Sequence, residues 1–326
     1  MKPKIIYMGT PEFAVAPLDA LVRAGYPVAA VVTVPDKPSG RGLKVSMSDV
    51  KKYALQAGLP LLQPVSLKDP AFLQELAAFG ADLFIVVAFR MLPRAVWAMP
   101  RLGTFNLHAS LLPQYRGAAP INWCLIHGEE RTGVTTFMID QDIDTGAILL
   151  QAGCGIQARE SAGTLHDKLM LLGADLVLET VAGLEAGTLV PRPQPSAEAL
   201  LREAPKLTRE LGRISWGENA DRTDRLIRGL SPYPAASSRL CDGEKTVDLK
   251  IYRTGAPANR PELLREIPEA ERRPGRILSD NKSFLAVLCG DGRLLEIEEL
   301  QLAGKKRMGV KEFLAGFRNA SAYSFL

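Results

Sequence analysis

The chain has 326 residues, 47% of them hydrophobic and 23% charged, and a formal net charge of +4. That gives room for two domains and enough apolar content for a core, and it excludes a highly charged disordered chain. No apolar run reaches the about 18 residues of a membrane span, and the one near the N-terminus is too short for a signal peptide, so the chain reads as cytoplasmic. The positive excess lies wholly from Leu207 onward, a distribution compatible with an anionic partner. Cys124, Cys154, Cys241 and Cys289 stand far apart with no C-x-x-C pair, which argues against a disulfide framework or a zinc site; no metal is expected.

The first 190 residues alternate β-rich runs with amphipathic ones. A strand is predicted at 4–8 (KIIYM), then a helix over 11–24 stopped by Gly25, and a strand at 28–34. Helices follow over 46–57 and 69–79, closed by Gly58 and Gly80. Residues 82–88 (DLFIVVA) are apolar on both faces, as a central parallel strand should be. Another strand follows at 104–108. This pattern predicts an α/β fold, a Rossmann-like doubly wound sheet. A strand at 133–139 and a long helix over 161–186 complete it.

Prolines at 191, 193, 195 and 205 mark 189–207 as a linker. Beyond it the predicted elements are a helix over 223–230 and short strands at 246–252, 275–278, 284–289 and 294–302, with a GDG turn at 290–292. Short strands with turns suggest a small β-barrel. The expected domains are therefore 1–188, a linker at 189–207, and 208–326.

The chemistry concentrates at FNLHASLLPQYRGAAP, residues 105–120. On a strand, Asn106 and His108 share one face, opposite Phe105 and Leu107. An amide and an imidazole side by side can hold a developing oxyanion or move a proton. The carboxyl end of a parallel strand is where open α/β sheets build their sites. The alternative is a structural histidine at a strand end.

A second candidate, DQDIDTG at 140–146, offers Asp140, Asp142 and Asp144. A carboxylate there could orient the imidazole, though spacing does not choose among the three, and Asx-turns are common in such runs. The insertion at 35–46 carries Lys37, Arg41 and Lys44 with Gly40 and Gly42. It reads as a mobile basic finger for a phosphate-rich partner, or as a solvated surface loop. YMGTPEF has one glycine, not G-x-G-x-x-G, so a dinucleotide site is poorly supported. His127 and His166 read as structural.

FNLHASLLPQYRGAAPINW followed by GVTTFMIDQDIDTGAIL resembles the formyltransferases that use 10-formyltetrahydrofolate. YMGTPEFAVAPLDAL, the loop PDKPSGRG, ISW (214–216), PYPAA (232–236) and GKKRM (304–308) are similar to the branch whose acceptor is methionyl initiator tRNA, end to end.

The resemblance implies a catalytic trio of Asn106, His108 and Asp144, with folate as formyl-donor substrate at Ser110, Leu111, Leu112 and Pro113. Val86, Val87, Ala88, Phe89, Arg90, Met91, Ile139, Asp140, Gln141 and Asp142 are then expected around the pterin. It also implies tRNA contacts at Lys37, Arg41 and Lys44 and, in an OB-like C-terminal barrel, at Lys305, Lys306 and Arg307. A monomer without metal or membrane is expected. The nearest alternative is an amino-sugar nucleotide formyltransferase; the basic loop and the positive C-terminal domain favour RNA. One departure stands out. The family's A-Y-G-x-x-L-P stretch is here Ala88-Phe89-Arg90-Met91-Leu92-Pro93, one residue shorter and with Arg90 in place of a small flexible residue.

Overall fold

Strands made wholly of buried apolar residues organise the N-terminal part of the computed structural model, which describes residues 1–39, 44–195, 201–265, 267–317 and 319–326. The strands in chain order are β1 (Ile5–Gly9), β2 (Val28–Val32), a hairpin of β3 (Lys37–Ser39) and β4 (Lys44–Ser46), β5 (Leu61–Leu62), β6 (Leu83–Val87), β7 (Thr104–His108), β8 (Arg116–Gly117), β9 (Arg131–Met138), β10 (Ile148–Gly155) and β11 (Glu203–Ala204). Seven of them form one sheet in the order β10-β9-β7-β6-β1-β2-β5. It is parallel from β7 to β5, and β9 and β10 extend it antiparallel. Every residue of β1 and β6 is buried, which is why these two occupy its middle.

The helices are α1 (Val15–Arg23), α2 (Asp49–Gln56), α3 (Pro70–Ala78), α4 (Arg94–Trp97), α5 (Pro120–His127) and α6 (Ala162–Ala186). Local chemistry sets their starts. Ser48 Oγ accepts from Lys51 N at the head of α2, and Asp69 caps α3 with Pro70 in its first turn. Phe72 and Leu76 of α3 and Val96 of α4 cover one sheet face, against Ile6, Phe84 and Val86. On the other face, Thr180 of α6 bonds Thr136 of β9 at 2.8 Å. Gly173 lies so close to Leu107 that a Cβ there would stand 2.7 Å from Leu107 Cδ2.

The C-terminal part comprises α7 (Ala220–Leu230), β12 (Ala236–Cys241), β13 (Thr246–Thr254), α8 (Pro261–Leu264), β14 (Ile277–Ser279), β15 (Leu285–Leu288), β16 (Leu294–Leu302), β17 (Met308–Gly309), α9 (Val310–Gly316) and β18 (Ser324–Phe325). The order β14-β15-β16-β13-β12-β18 is antiparallel throughout. Arg276 bridges Ser324, and Phe325 N donates to Gly275 O at 2.8 Å, so the sheet nearly closes into a barrel. Ala220, Ile227 and Leu230 of α7 belong to the core of this barrel.

The fold class is the expected one, an α/β sheet followed by a barrel. The two compact units interleave along the chain. One holds 1–120, 131–155 and 166–204, the other 121–130, 156–165 and 205–326. Several elements went unread in the sequence. β10 buries only Ile148 and Leu149, then alternates half-buried and exposed residues and is rich in glycine and small side chains; β12 is largely small and polar. The basic insertion, read as a loop, contains the β3–β4 hairpin. The segment read as a linker pairs through β11 with β8 and bridges Ile148 through Arg192.

Phe325 is 3% exposed and its ring centroid lies 5.0 Å from that of Trp216. Phe325→Ala is expected to cost about 3–5 kcal/mol by leaving a cavity at the seam. Denaturant unfolding measures it, and wild-type stability would refute this role for Phe325.

Candidate active site

Two neighbouring strands and α6 decide which face of β7 is free. Asn106 is in register with Val86 of β6 and Phe137 of β9. Because α6 packs against Leu107, Asn106 and His108 lie on the face of β7 turned away from α6. The Asn106 side chain is half-buried, and its amide makes no hydrogen bond among the described residues.

His108 is 6% exposed. Its Nε2 lies 2.8 Å from Tyr115 O. A carbonyl only accepts, so Nε2 carries the proton of the neutral ring. Nδ1 is left toward Asp144, with Oδ2 3.7 Å away. The same Oδ2 accepts from Gly117 N at 2.9 Å.

The three aspartates differ in what they meet. Asp140 Oδ1 accepts from Asp142 N and Thr145 Oγ1 and closes the loop on itself. Asp142 is exposed, and Asp144 faces the imidazole. Tyr115 (φ 60°), Asp144 (φ 55°) and Ala88 (φ 47°) all adopt the left-handed region, which non-glycine residues hold only where their surroundings fix it. Gly146 sits where a Cβ would come 1.7 Å from Met138 O.

Sequence reasoning missed Thr135, which organises the segment after His108. Its Oγ1 donates to Ser110 O at 2.6 Å and accepts from Leu112 N at 3.1 Å and Gln151 Nε2 at 3.0 Å. Gln151 Nε2 also donates to Leu112 O. Ser110 is fully buried with its hydroxyl given to Gln114 O, and Leu112 clusters with Phe137 and Ile148. Within Ser110–Pro113, Leu111 and Pro113 keep exposed surface.

Val86, Phe89 and Ile139 lie together in or against the apolar cluster on the Asn106 face. Val87 is fully buried, one residue out of phase with Val86. Met91, Gln141 and Asp142 are exposed. Arg90, the departure from the family pattern, donates to Val65 O at 2.9 Å and to Pro64 O, with its guanidinium 5.6 Å from the Phe89 ring.

Of the basic candidates, Lys37 is exposed on β3, Lys44 lies in β4, and Arg41 lies outside the described residues. A small network anchors the base of their hairpin. Lys51 Nζ bonds Asp36 Oδ2 at 2.6 Å and Gln63 Oε1 at 2.8 Å, while Gln63 Nε2 donates to Asp36 Oδ1 and Val34 O. Lys305 and Lys306 are exposed. Arg307, expected as a tRNA contact, forks onto Glu299 at 2.7 and 2.6 Å and stacks over Tyr252 at 4.2 Å.

Among the described residues no group of three or more His, Cys, Asp or Glu could hold a metal ion, and no helix is long and apolar enough to cross a membrane.

The family matches define a formyl transferase. The chain matches the formyl transferase family over residues 1–181 and the formyl transferase C-terminal domain over 206–318. The methionyl-tRNA formyltransferase of Bacteroides thetaiotaomicron is 49% identical over 324 residues, covering 98% of this chain and 97% of the relative. That of Phocaeicola vulgatus is 51% identical over 323 residues, covering 97% and 96%. The chain belongs to the methionyl-tRNA formyltransferase family.

Solved structures share the fold at lower identity. HypX from Aquifex aeolicus in complex with tetrahydrofolic acid gives a TM-score of 0.63 at 18% identity, over 96% of this chain and 47% of that one. An N-formyltransferase from Helicobacter canadensis, in complex with folinic acid and dTDP-3-aminofucose, gives 0.64 at 18% identity, over 92% and 99%.

Hydrogen bonds from Lys51, then Gln63, hold the Asp36 carboxyl below its ordinary 3.8. A depressed value means that the contribution to the hairpin base is present above the ordinary value and lost as pH falls through the folded one. Amide hydrogen exchange across β3 and β4 is expected to speed up in Asp36→Asn at neutral pH, and in the wild type below about pH 4. Unchanged exchange in the variant would mean that the hairpin is held by something else.

Proposed function

We propose that this chain transfers the formyl group of 10-formyltetrahydrofolate to the α-amino group of methionyl initiator tRNA. The observation that carries this reading is the Asn106 amide, which has no partner among the described residues and shares a face of β7 with His108, itself beside Asp144. Its relatives at about half identity over nearly the whole chain support the acceptor. The apolar wall of Val86, Phe89 and Ile139 beside the trio suits the flat ring of a pterin.

In this mechanism the methionyl amine attacks the formyl carbon, and negative charge gathers on the formyl oxygen. The Asn106 N–H and the His108 ring, protonated at Nδ1, stabilise that charge. Tyr115 O fixes the ring from the far side, so the imidazole moves a proton at Nδ1 and at no other atom. Asp144 stands beside that nitrogen to support its positive charge, and it accepts the proton that the amine loses, through water where the gap requires it. The carbon–N10 bond then breaks, N10 takes up a proton, and tetrahydrofolate leaves. Much of the rate comes from holding two large substrates in register. The exposed Lys37, Lys305 and Lys306 are proposed to meet tRNA phosphates, as is Arg41, with binding that weakens as salt rises.

Labelled formyl from 10-formyltetrahydrofolate should appear on methionine-charged initiator tRNA, and on neither uncharged tRNA nor an amino-sugar nucleotide. Asn106→Ala should lower kcat about 100-fold or more with a folded enzyme, the typical cost of one lost oxyanion donor. Label on the sugar nucleotide would overturn the acceptor, and near-normal turnover of the variant would overturn the role of Asn106.

A further inference from the structure

Resting on that reading of Asp144, we infer that Gln194 is a positioning residue for formyl transfer, a side chain that holds the Asp144 loop and the Arg116–Gly117 turn in one arrangement. Its Nε2 donates to Asp144 O and to Gly146 O, both at 2.9 Å. Its Oε1 accepts from Arg116 Nε at 3.1 Å and Nη2 at 2.6 Å. A primary amide has two donors and two lone pairs, so Gln194 spends its entire hydrogen-bonding capacity on these two segments.

Gly117, the residue after Arg116, gives its N–H to Asp144 Oδ2. The bonds therefore form a closed ring. It leaves Asp144 by its carbonyl, passes through Gln194 and Arg116, and returns by Gly117 N to the Asp144 carboxylate.

The surroundings make this ring more than a tether. Gln194 stands between Pro193 and Pro195, and it alone of 191–195 is not exposed. The prolines donate no N–H and fix φ, so this stretch has little ladder of its own. The backbone exchange between Arg192 and Ile148, at 2.7 and 2.8 Å, brings it to the loop. Asp144 itself is left-handed at φ 55° and needs an outside support to stay so. The donors of Gln194 reach both ends of the bend, at Asp144 and at Gly146. Without them the carboxylate is free to turn away from Nδ1, and a misplacement of about 1 Å at such a site can cost about 100-fold in rate.

Full-length Gln194→Ala, Gln194→Glu, Asp144→Asn and the Gln194→Ala/Asp144→Asn double variant separate the possibilities. Gln194→Glu keeps the size and the acceptor for Arg116 but loses both donors, so it carries the test if Gln194→Ala does not fold. Both Gln194 variants should lower kcat for charged initiator tRNA at least about tenfold, with KM for 10-formyltetrahydrofolate within about twofold of wild type. The double variant should be no slower than Asp144→Asn within about twofold, because residues acting through one group are not additive. Wild-type kcat in the Gln194 variants, or multiplicative losses in the double variant, would overturn the inference while leaving the proposed mechanism intact. Wild-type turnover in Asp144→Asn would instead overturn the reading of Asp144, and this inference with it.

Discussion

A partly buried carboxylate must be held by donors or it turns to water. Much of this site is arranged around that requirement at Asp144. One main-chain N–H, from Gly117, meets its Oδ2, and one imidazole stands beside it. Supplying that N–H requires the chain to turn sharply after Tyr115. There the left-handed Tyr115 turns its carbonyl to His108 Nε2. Gly117 sits so close to Ala204 that a Cβ would come 2.6 Å from the Ala204 oxygen. The turn that feeds Asp144 thus also fixes the tautomer of His108, and both depend on a glycine where no side chain fits.

The two residues on β7 were legible because a strand has a period of two and α6 covers the other face. Nothing comparable marks Asp144. Asp140, Asp142 and Asp144 are equivalent as letters, and they separate only when Asp140 turns inward on its own loop and Asp144 adopts a left-handed backbone. Gln194 was hidden for a different reason. Three prolines in five residues lower the apparent order of a segment, and composition carries no record of a side chain that reaches across to another loop. Thr135 was hidden inside a strand whose β-branched residues read only as strand formers. The edge strand β10 escaped notice because only its first two residues are buried and the rest is dominated by glycine and small or polar residues.

The shortened stretch after β6 shows how a departure from a family pattern can be absorbed. The resemblance leads one to expect a glycine where Arg90 stands. Here Ala88 takes the left-handed backbone, and Arg90 anchors its own turn to the carbonyls of Pro64 and Val65. Arg90 thus ties two neighbouring loops together. Phe89 packs against the apolar cluster that also holds Val86.

The stretch from Arg192 to Ala204 also bears on how such proteins can be recombined. Its described ends are threaded into the N-terminal unit, at Ile148 and Gln194 on one side and, on the other, where Tyr115 and Ala119 bond Arg202 and Ala204. The last segment of the N-terminal unit therefore runs to Ala204, well past the end of the long helix. A chimera joined at the first proline would bring a foreign residue to the Asp144 loop in place of Gln194, whereas one joined after Ala204 would keep the Gln194 bonds to Asp144 and Gly146.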